Sequence, residues 1–425
     1  MTSICAPVPS CGYPPPRASA ACSVLAVGAA VFAIGCTSDA PDLTLPEPQA
    51  VQVPAGPGAA QPFAAPIGGG IVLSWTEPAA EGHALRFAAW DGTVWSEPRT
   101  VTSGRDWFVN WADFPSVVAL DDGFWAAHWL QRSGPGTYAY DVVLTTSGDG
   151  GTTWSAPVRP HGDGTQTEHG FVSIFQHQDG AGVVWLDGRQ YADGNEGGAT
   201  NEMQLRFASL HHADTGAHAG TETVLDDRIC DCCQTAVAAA TQGPVVFYRD
   251  RSPNEIRDIS VTRLADGAWT QPRPVHQDGW EINACPVNGP AADADGDNVV
   301  VAWYTGAAGA PRVQVAFSAD GGANFTAPTV VDDGQPAGRV DVLFLGNGTA
   351  LVVWLERSGE DAAIRGRVVA PDGSVGPSAV LASTTAGRAG GFPRMARHGS
   401  NVLLAWTEPG NPSHVRAVHL PFSQR

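Results

Sequence analysis

The chain has 425 residues, a formal net charge of −19 and 24 basic residues, every one an arginine. Acidity of this size without a basic stripe excludes ordinary nucleic-acid binding and attraction to an anionic membrane surface. A hydrophobic content of 43% excludes a disordered chain, and 50 glycines and 33 prolines point to a turn-dense all-β protein.

In chain order, the first 35 residues stand apart. A Pro-rich start with a lone Arg17 leads into Ala18 to Gly35, which is almost wholly small or apolar and ends at Cys36. The run is too short and too poorly flanked for a membrane span and reads as a secretion signal. Ala33-Ile34-Gly35-Cys36 resembles the lipobox of bacterial lipoproteins, with Ala33 where leucine is usual. That resemblance implies lipidation of Cys36, export, and a periplasmic or outer-membrane-attached protein that meets the membrane only through its N-terminal lipid. Residues 36–46 are expected to be a short tether.

From residue 47 onward a repeat takes over. An aromatic residue marks the second strand of each unit: Trp75, Trp129, Trp185, Phe247, Trp303, Trp354 and Trp406, at spacings of 54, 56, 62, 56, 51 and 52 residues. The stretch from Cys285 to Gly334 shows one unit in full, with four runs of strand length closed by Gly, Pro or Asp. Sheets this small bury their faces only by stacking on one another, and radial stacking leaves short edges. The expected fold is therefore a β-propeller of four-stranded antiparallel blades over residues 47–425, with seven blades and six as the alternative. The last unit contains three strands before the chain stops, and Glu47 to Pro54 resembles the outer strands at Ser96 to Val101, Ala327 to Val331 and Gly376 to Leu381. This N-terminal strand is expected to complete the last blade and close the ring.

Two turns carry a recognisable motif, Ser147-Gly148-Asp149-Gly150-Gly151-Thr152-Thr153-Trp154 and Ser318-Ala319-Asp320-Gly321-Gly322-Ala323-Asn324-Phe325. Both resemble the Asp box of the sialidase superfamily and related BNR-repeat proteins. Such turns are structural: Asp accepts amide hydrogen bonds, Gly takes positive φ and the aromatic packs on the blade. The resemblance implies an exo-glycosidase-like site, in which an arginine cluster holds a carboxylate, an Asp is acid/base and a Glu-activated Tyr is nucleophile. Three departures are that sialidases have six blades, that their early Arg-Ile-Pro signature is absent here and that no tyrosine follows Tyr304.

Strand alternation places the Asp-box turns on one face and the loops rich in unusual residues on the other. The catalytic candidates on that loop-rich face are Asp187, Arg189, Tyr248, Arg249, Asp250, Arg251, Glu281, Arg339 and Arg394. Trp107, His169, Trp280 and Asn283 are candidate binding residues, with Trp111 as a further stacking platform. Cys230, Cys232, Cys233 and Cys285 fall at equivalent starts of neighbouring blades, and an even number in an exported chain favours disulfides. One bridge from Cys285 to blade four, with Cys230 favoured, is expected, leaving Cys232 and Cys233 as a vicinal disulfide or as thiols. The rival is a thiolate site for copper or zinc. The chain shows no cofactor motif. It is expected to be a monomer that binds and hydrolyses a glycan or glycoconjugate on the loop-rich face, with a non-catalytic propeller binding a glycan or protein as the alternative.

Overall fold

The computed structural model describes residues 41–120, 123–192, 202–213, 216–359 and 361–422. The expected leader and Cys36 lie outside the described residues, and no helix among those described is long and apolar enough to cross a membrane.

Seven antiparallel sheets make a β-propeller, each running outward from an inner strand. Blade one contains Ala60–Ile67, Gly70–Ala79, Gly82–Trp90 and Arg99–Gly104. Blade two contains Ser116–Ala119, Trp125–Arg132 and Tyr140–Ser147, and its outer position is reduced to a pairing of Leu144 with Val158. Blade three contains His169–His177, Gly180–Asp187 and Met203–Ala213, whose outer edge is shared by Gly216–Ala219 and Thr223–Ile229. Blade four starts with Ala236–Ala240 and Gly243–Arg249, blade five with Ala291–Asp295 and Asn298–Thr305, and blade six with Pro336–Phe344 and Ala350–Ser358. Blade seven contains Arg394–His398, Asn401–Glu408 and His414–Pro421, and its outer strand is Gln49–Val51. Gln49 pairs with His419, Ala50 with Val418 and Val51 with Ala417, so the N-terminal segment closes the ring as expected. Leu45 already packs against the apolar layer between blades six and seven.

The seven aromatic markers are all buried between neighbouring sheets. Their indoles also need a hydrogen-bond acceptor. Trp75 donates to Glu77 at 2.8 Å, Trp185 to Asp187 at 2.8 Å and Trp354 to Glu356 at 2.6 Å, in each case a carboxylate two residues on.

Polar side chains also clip one inner strand to the next. Asp113 accepts the Phe171 N–H at 2.8 Å, Asn288 the Arg339 N–H at 2.7 Å, Asp293 the Phe344 N–H at 2.7 Å and Asp341 the Met395 N–H at 2.6 Å. Phe171 and Arg339 both have φ of 54°, a left-handed bulge at the start of an inner strand that the neighbouring blade holds in place.

The strand registers separate the two faces. Ser147 pairs with Trp125 at the start of its neighbour, whereas Asp187 pairs with His169 and Gln204 at the opposite end of the blade. Asp149 and Asp320 therefore occupy the face away from Asp187 and Arg249. In the first turn Asp149 Oδ1 accepts the N–H groups of Thr152 and Thr153, both at 2.9 Å, and Oδ2 accepts the Thr153 hydroxyl at 2.7 Å. These donors, the Thr153 amide first, hold its carboxyl well below the usual range. Gly151 has φ of 75°, and a Cβ there would come within 2.9 Å of the Phe87 ring.

Candidate functional site

A cavity of about 730 Å³ opens on the loop-rich face, walled by the starts and loops of blades two to five and by Arg388 of blade seven. Its aromatic lining is Trp111, Tyr138, Phe171 and Tyr191, and Asn110, Gln166 and Thr167 add polar groups. Tyr140 begins the third strand of blade two. Its hydroxyl hydrogen-bonds Glu168 Oε1 at 2.7 Å and Asp113 Oδ2 at 3.0 Å.

Three ionisable groups thus share a small buried volume, and desolvation favours their neutral forms. Burial pushes Asp113 up to about 7. Burial, reinforced by the Asp113 charge, raises Glu168 well above the carboxylate range. Tyr140 rises well above the phenol range through burial and the two carboxylates. The cluster therefore holds protons at neutral pH and can donate one into the cavity, which suits acid assistance rather than a phenolate nucleophile.

The predicted site residues are distributed differently. Asp187 is buried under Trp185 and takes two bonds of 2.7 Å from Arg189, which also reaches Glu222 at 2.5 Å. His169 is fully buried beside them, stacked on His161 with ring centroids 3.9 Å apart and with Nε2 3.2 Å from Asp163. Tyr248 donates to Asp226 at 2.5 Å. Arg249 is 1% exposed and donates to the carbonyls of Asn288, Arg257 and Tyr304, with its guanidinium 4.8 Å from the centre of the Trp280 ring. Asp250 is raised to about 6 by burial and accepts from Ser260 at 3.2 Å. Arg251 pairs with Glu255 at 2.8 Å. Arg339 donates to the carbonyls of Ala386, Gly387 and Gly391 and lies over the Trp111 ring. Arg394 faces the axial channel, between the rings of Phe63 and Phe114. Glu281 and Asn283 are exposed on the loop before blade five. Trp107 is buried against Trp129 at a centroid separation of 5.9 Å, and Trp280 is buried edge-on to Tyr304, so neither presents a free face. The arginines that were candidates for gripping a carboxylate are instead occupied by backbone carbonyls, acidic neighbours and rings of their own chain.

Of the residues named from sequence, Trp111, Cys232 and Cys285 line the cavity. Tyr140 and Asp113 were not among the candidates, although Glu168 lies beside the chosen His169. Among the described residues no disulfide is formed. The expected Cys230–Cys285 staple is corrected: Cys230 turns inward, with Sγ 3.3 Å from Cys233 Sγ and 3.3 Å from Arg257 Nη1, while Cys285 is exposed and lines the cavity with Cys232.

Fold and cavity together define a seven-bladed propeller with a concave, aromatic-lined site on its loop-rich face. No protein-family model and no curated protein matches the sequence. Among solved structures, a polysaccharide lyase of family PL25, an ulvan lyase bound to -[GlcA(1-4)Rha3S]-, is similar over 87% of this chain and 95% of its own, with 10% identity and a TM-score of 0.54. A protein of unknown function from Dyadobacter fermentans aligns over 90% of this chain and all of its own at 17% identity and a TM-score of 0.49. Trypanosoma rangeli sialidase aligns over 88% and 60% at 10% identity and a TM-score of 0.46. The lyase likeness establishes a shared fold.

Proposed function

We propose that the protein binds a glycan in the cavity on the loop-rich face and hydrolyses a glycosidic bond there, Glu168 giving its proton to the departing oxygen while a solvent water bonds to the anomeric carbon and returns a proton to Glu168. The observation that carries this reading is the Tyr140 hydroxyl held between Glu168 and Asp113 at the wall of an aromatic-lined cavity. Sugar rings present apolar C–H faces that pack on aromatic rings, and a few convergent polar groups fix their hydroxyls. Trp111, Tyr138, Phe171 and Tyr191 supply the first kind of contact, and Asn110, Gln166 and Thr167 the second. A carboxyl that keeps its proton at neutral pH is the group that assists departure of a glycosidic oxygen. Tyr140 and Asp113 position it and redistribute the proton. The polysaccharide specificity of the ulvan lyase, a protein of the same fold, agrees with a carbohydrate ligand.

The test is a screen of oligosaccharides for binding and for release of reducing ends. Glu168→Gln should lower cleavage by about 100-fold or more while leaving binding within a few-fold. Tyr140→Phe should shift the alkaline limb of the pH–rate profile, along which Glu168 loses its proton. Cleavage at the wild-type rate by Glu168→Gln would remove the catalytic assignment, and failure of any glycan to bind would remove the reading as a whole.

A further inference from the structure

The start of blade four brings three thiols together beside the cavity. Cys230 Sγ lies 3.3 Å from Cys233 Sγ and 4.0 Å from Cys232 Sγ, and all three sulfurs are within 4.8 Å of one another. Cys230 and Cys233 are each 1% exposed, whereas Cys232 faces the cavity. Cys285, from the loop before blade five, lines the cavity with Cys232 but stands outside the group of three close sulfurs. The backbone under the cluster is fixed: the Cys230 N–H donates to the Arg249 carbonyl at 3.0 Å, and the Gln234 side chain donates to the Ala112 carbonyl at 2.6 Å.

Metal–thiolate bonds of about 2.3 Å place the sulfurs of a tetrahedral or trigonal site about 3.8–4.0 Å apart. The separations of 3.3 and 4.0 Å bracket that spacing. Charge points the same way. Arg257 Nη1 is 3.3 Å from Cys230 Sγ, and Arg249, buried and in electrostatic range of Cys230, directs its four hydrogen bonds among the described residues at carbonyl oxygens. These guanidinium charges favour thiolates at the two buried sulfurs and at Cys232 on the cavity wall, with Arg257 shared with Glu255 at 2.8 Å and Asp231 at 3.7 Å. Copper(I) with three thiolates, or zinc with four, leaves a net charge of −2 at the centre, which Arg249 and the shared charge of Arg257 offset in part. All-sulfur ligands select soft, thiophilic ions over hard ones.

We propose that Cys230, Cys232 and Cys233 form a thiolate site for a thiophilic d10 cation, copper(I) or zinc, with Cys285 closing the fourth position when the ion is zinc. The site is independent of the glycan reading, since it shares only a cavity wall with Glu168.

The full chain, reduced and freed of reductant under anaerobic conditions, is offered one equivalent of copper(I) against a chromophoric copper(I) chelator, and in a separate arm zinc against a zinc chelator. One ion per chain should be retained in at least one arm. Alkylation mapped by mass spectrometry should slow at Cys230, Cys232 and Cys233, and at Cys285 as well in the zinc case. Cys232→Ser should weaken binding by more than about 100-fold, and Cys285→Ser should weaken zinc but leave copper(I) unchanged. Far-ultraviolet circular dichroism checks that each variant keeps the propeller. Retention of neither ion by the reduced wild-type chain overturns the proposal. So does a Cys230–Cys233 disulfide that, once reduced, yields a protein with no affinity for either ion, which would make the pair a redox dithiol. Undiminished binding in folded Cys232→Ser overturns it as well.

Discussion

Glu356 receives the Trp354 indole N–H at 2.6 Å and the Gln335 backbone N–H at 2.5 Å, all within a packed blade. Asp187 stands in the same relation to Trp185, and Glu77 to Trp75, so this carboxylate belongs to the blade's repeat before it belongs to any site. A buried carboxylate that loses a donor keeps its desolvation cost, and a hydrogen bond to a charged group contributes about 1.5–3 kcal/mol. Trp354→Phe is therefore expected to destabilise the protein by about 1.5–3 kcal/mol in urea unfolding. Pairing it with Glu356→Gln in a double-mutant cycle should show the two effects to be non-additive. A change within about 0.5 kcal/mol of wild type would mean that the indole bond contributes nothing net. The recurrence Trp-x-Asp/Glu at Trp75, Trp185, Trp354 and Trp406 is visible in the sequence, and it was the available sign that Asp187 has a structural partner.

At the scale of elements, the closing strand is short, yet Gln49–Val51 covers the edge of His414–Pro421, and Val53 is buried in the adjoining core. Removing residues 41–54 would expose that edge's N–H and C=O groups and open the ring at one blade. The truncated chain is expected to unfold at a lower temperature and to self-associate with rising concentration in size-exclusion chromatography. A peptide of residues 47–54 added in trans should reverse part of both effects. An unchanged melting temperature in a monomeric truncation would show that closure does not depend on this strand. The ring was legible because its period is carried by large buried aromatics and its closure by a resemblance among outer strands, both local properties of sequence. The site was legible only where a loop residue was conspicuous, as with Trp111, Cys232 and Cys285. Asp113 escaped notice because its partners, the Phe171 amide and the Tyr140 hydroxyl, come from another blade and another strand, and a repeat period carries no information on such contacts. The arginines misled for the complementary reason: their number was visible, but not that Arg249, at the end of its strand, and Arg339, at a bulged strand start, would be turned onto carbonyl oxygens.

For the whole molecule, opposing buried titrations decide where stability peaks. His128 is held down to about 3 by burial, and His161 to about 3 by burial and the neighbouring His169. A base depressed in the folded state binds its proton first in the unfolded chain, so each costs stability as pH falls from about 6.5 towards 3. Asp113 has the opposite sign. Its folded value near 7 exceeds the unfolded value, so the native state holds the extra proton and stability falls as pH rises from about 4 to 7. His169 is also raised, because the bond to Asp163 and the charges of Asp187 and Asp141 outweigh burial, so its contribution is lost as pH climbs through its folded value. Asp320, lowered to about 2 chiefly by the Asn324 side chain, loses its contribution only in stronger acid. Between about pH 4 and 6.5 the two histidines are offset by two raised carboxyls, Asp113 and Glu168. Above that window the histidines no longer titrate, Asp113 and His169 still do, and the acidic chain repels itself more strongly. Stability is thus expected to be greatest between about pH 4 and 6.5 and to decline toward pH 8, by at most about 1.4 kcal/mol per pH unit for each group titrating. Asp113→Asn, which keeps an acceptor for the Phe171 amide, should remove one opposing titration, so that stability rises with pH between about pH 4 and 6.5. Thermal unfolding across pH 3 to 9 for both proteins reads this directly, and a wild-type maximum near pH 8, or an unaltered slope in Asp113→Asn, would contradict the protonated buried cluster.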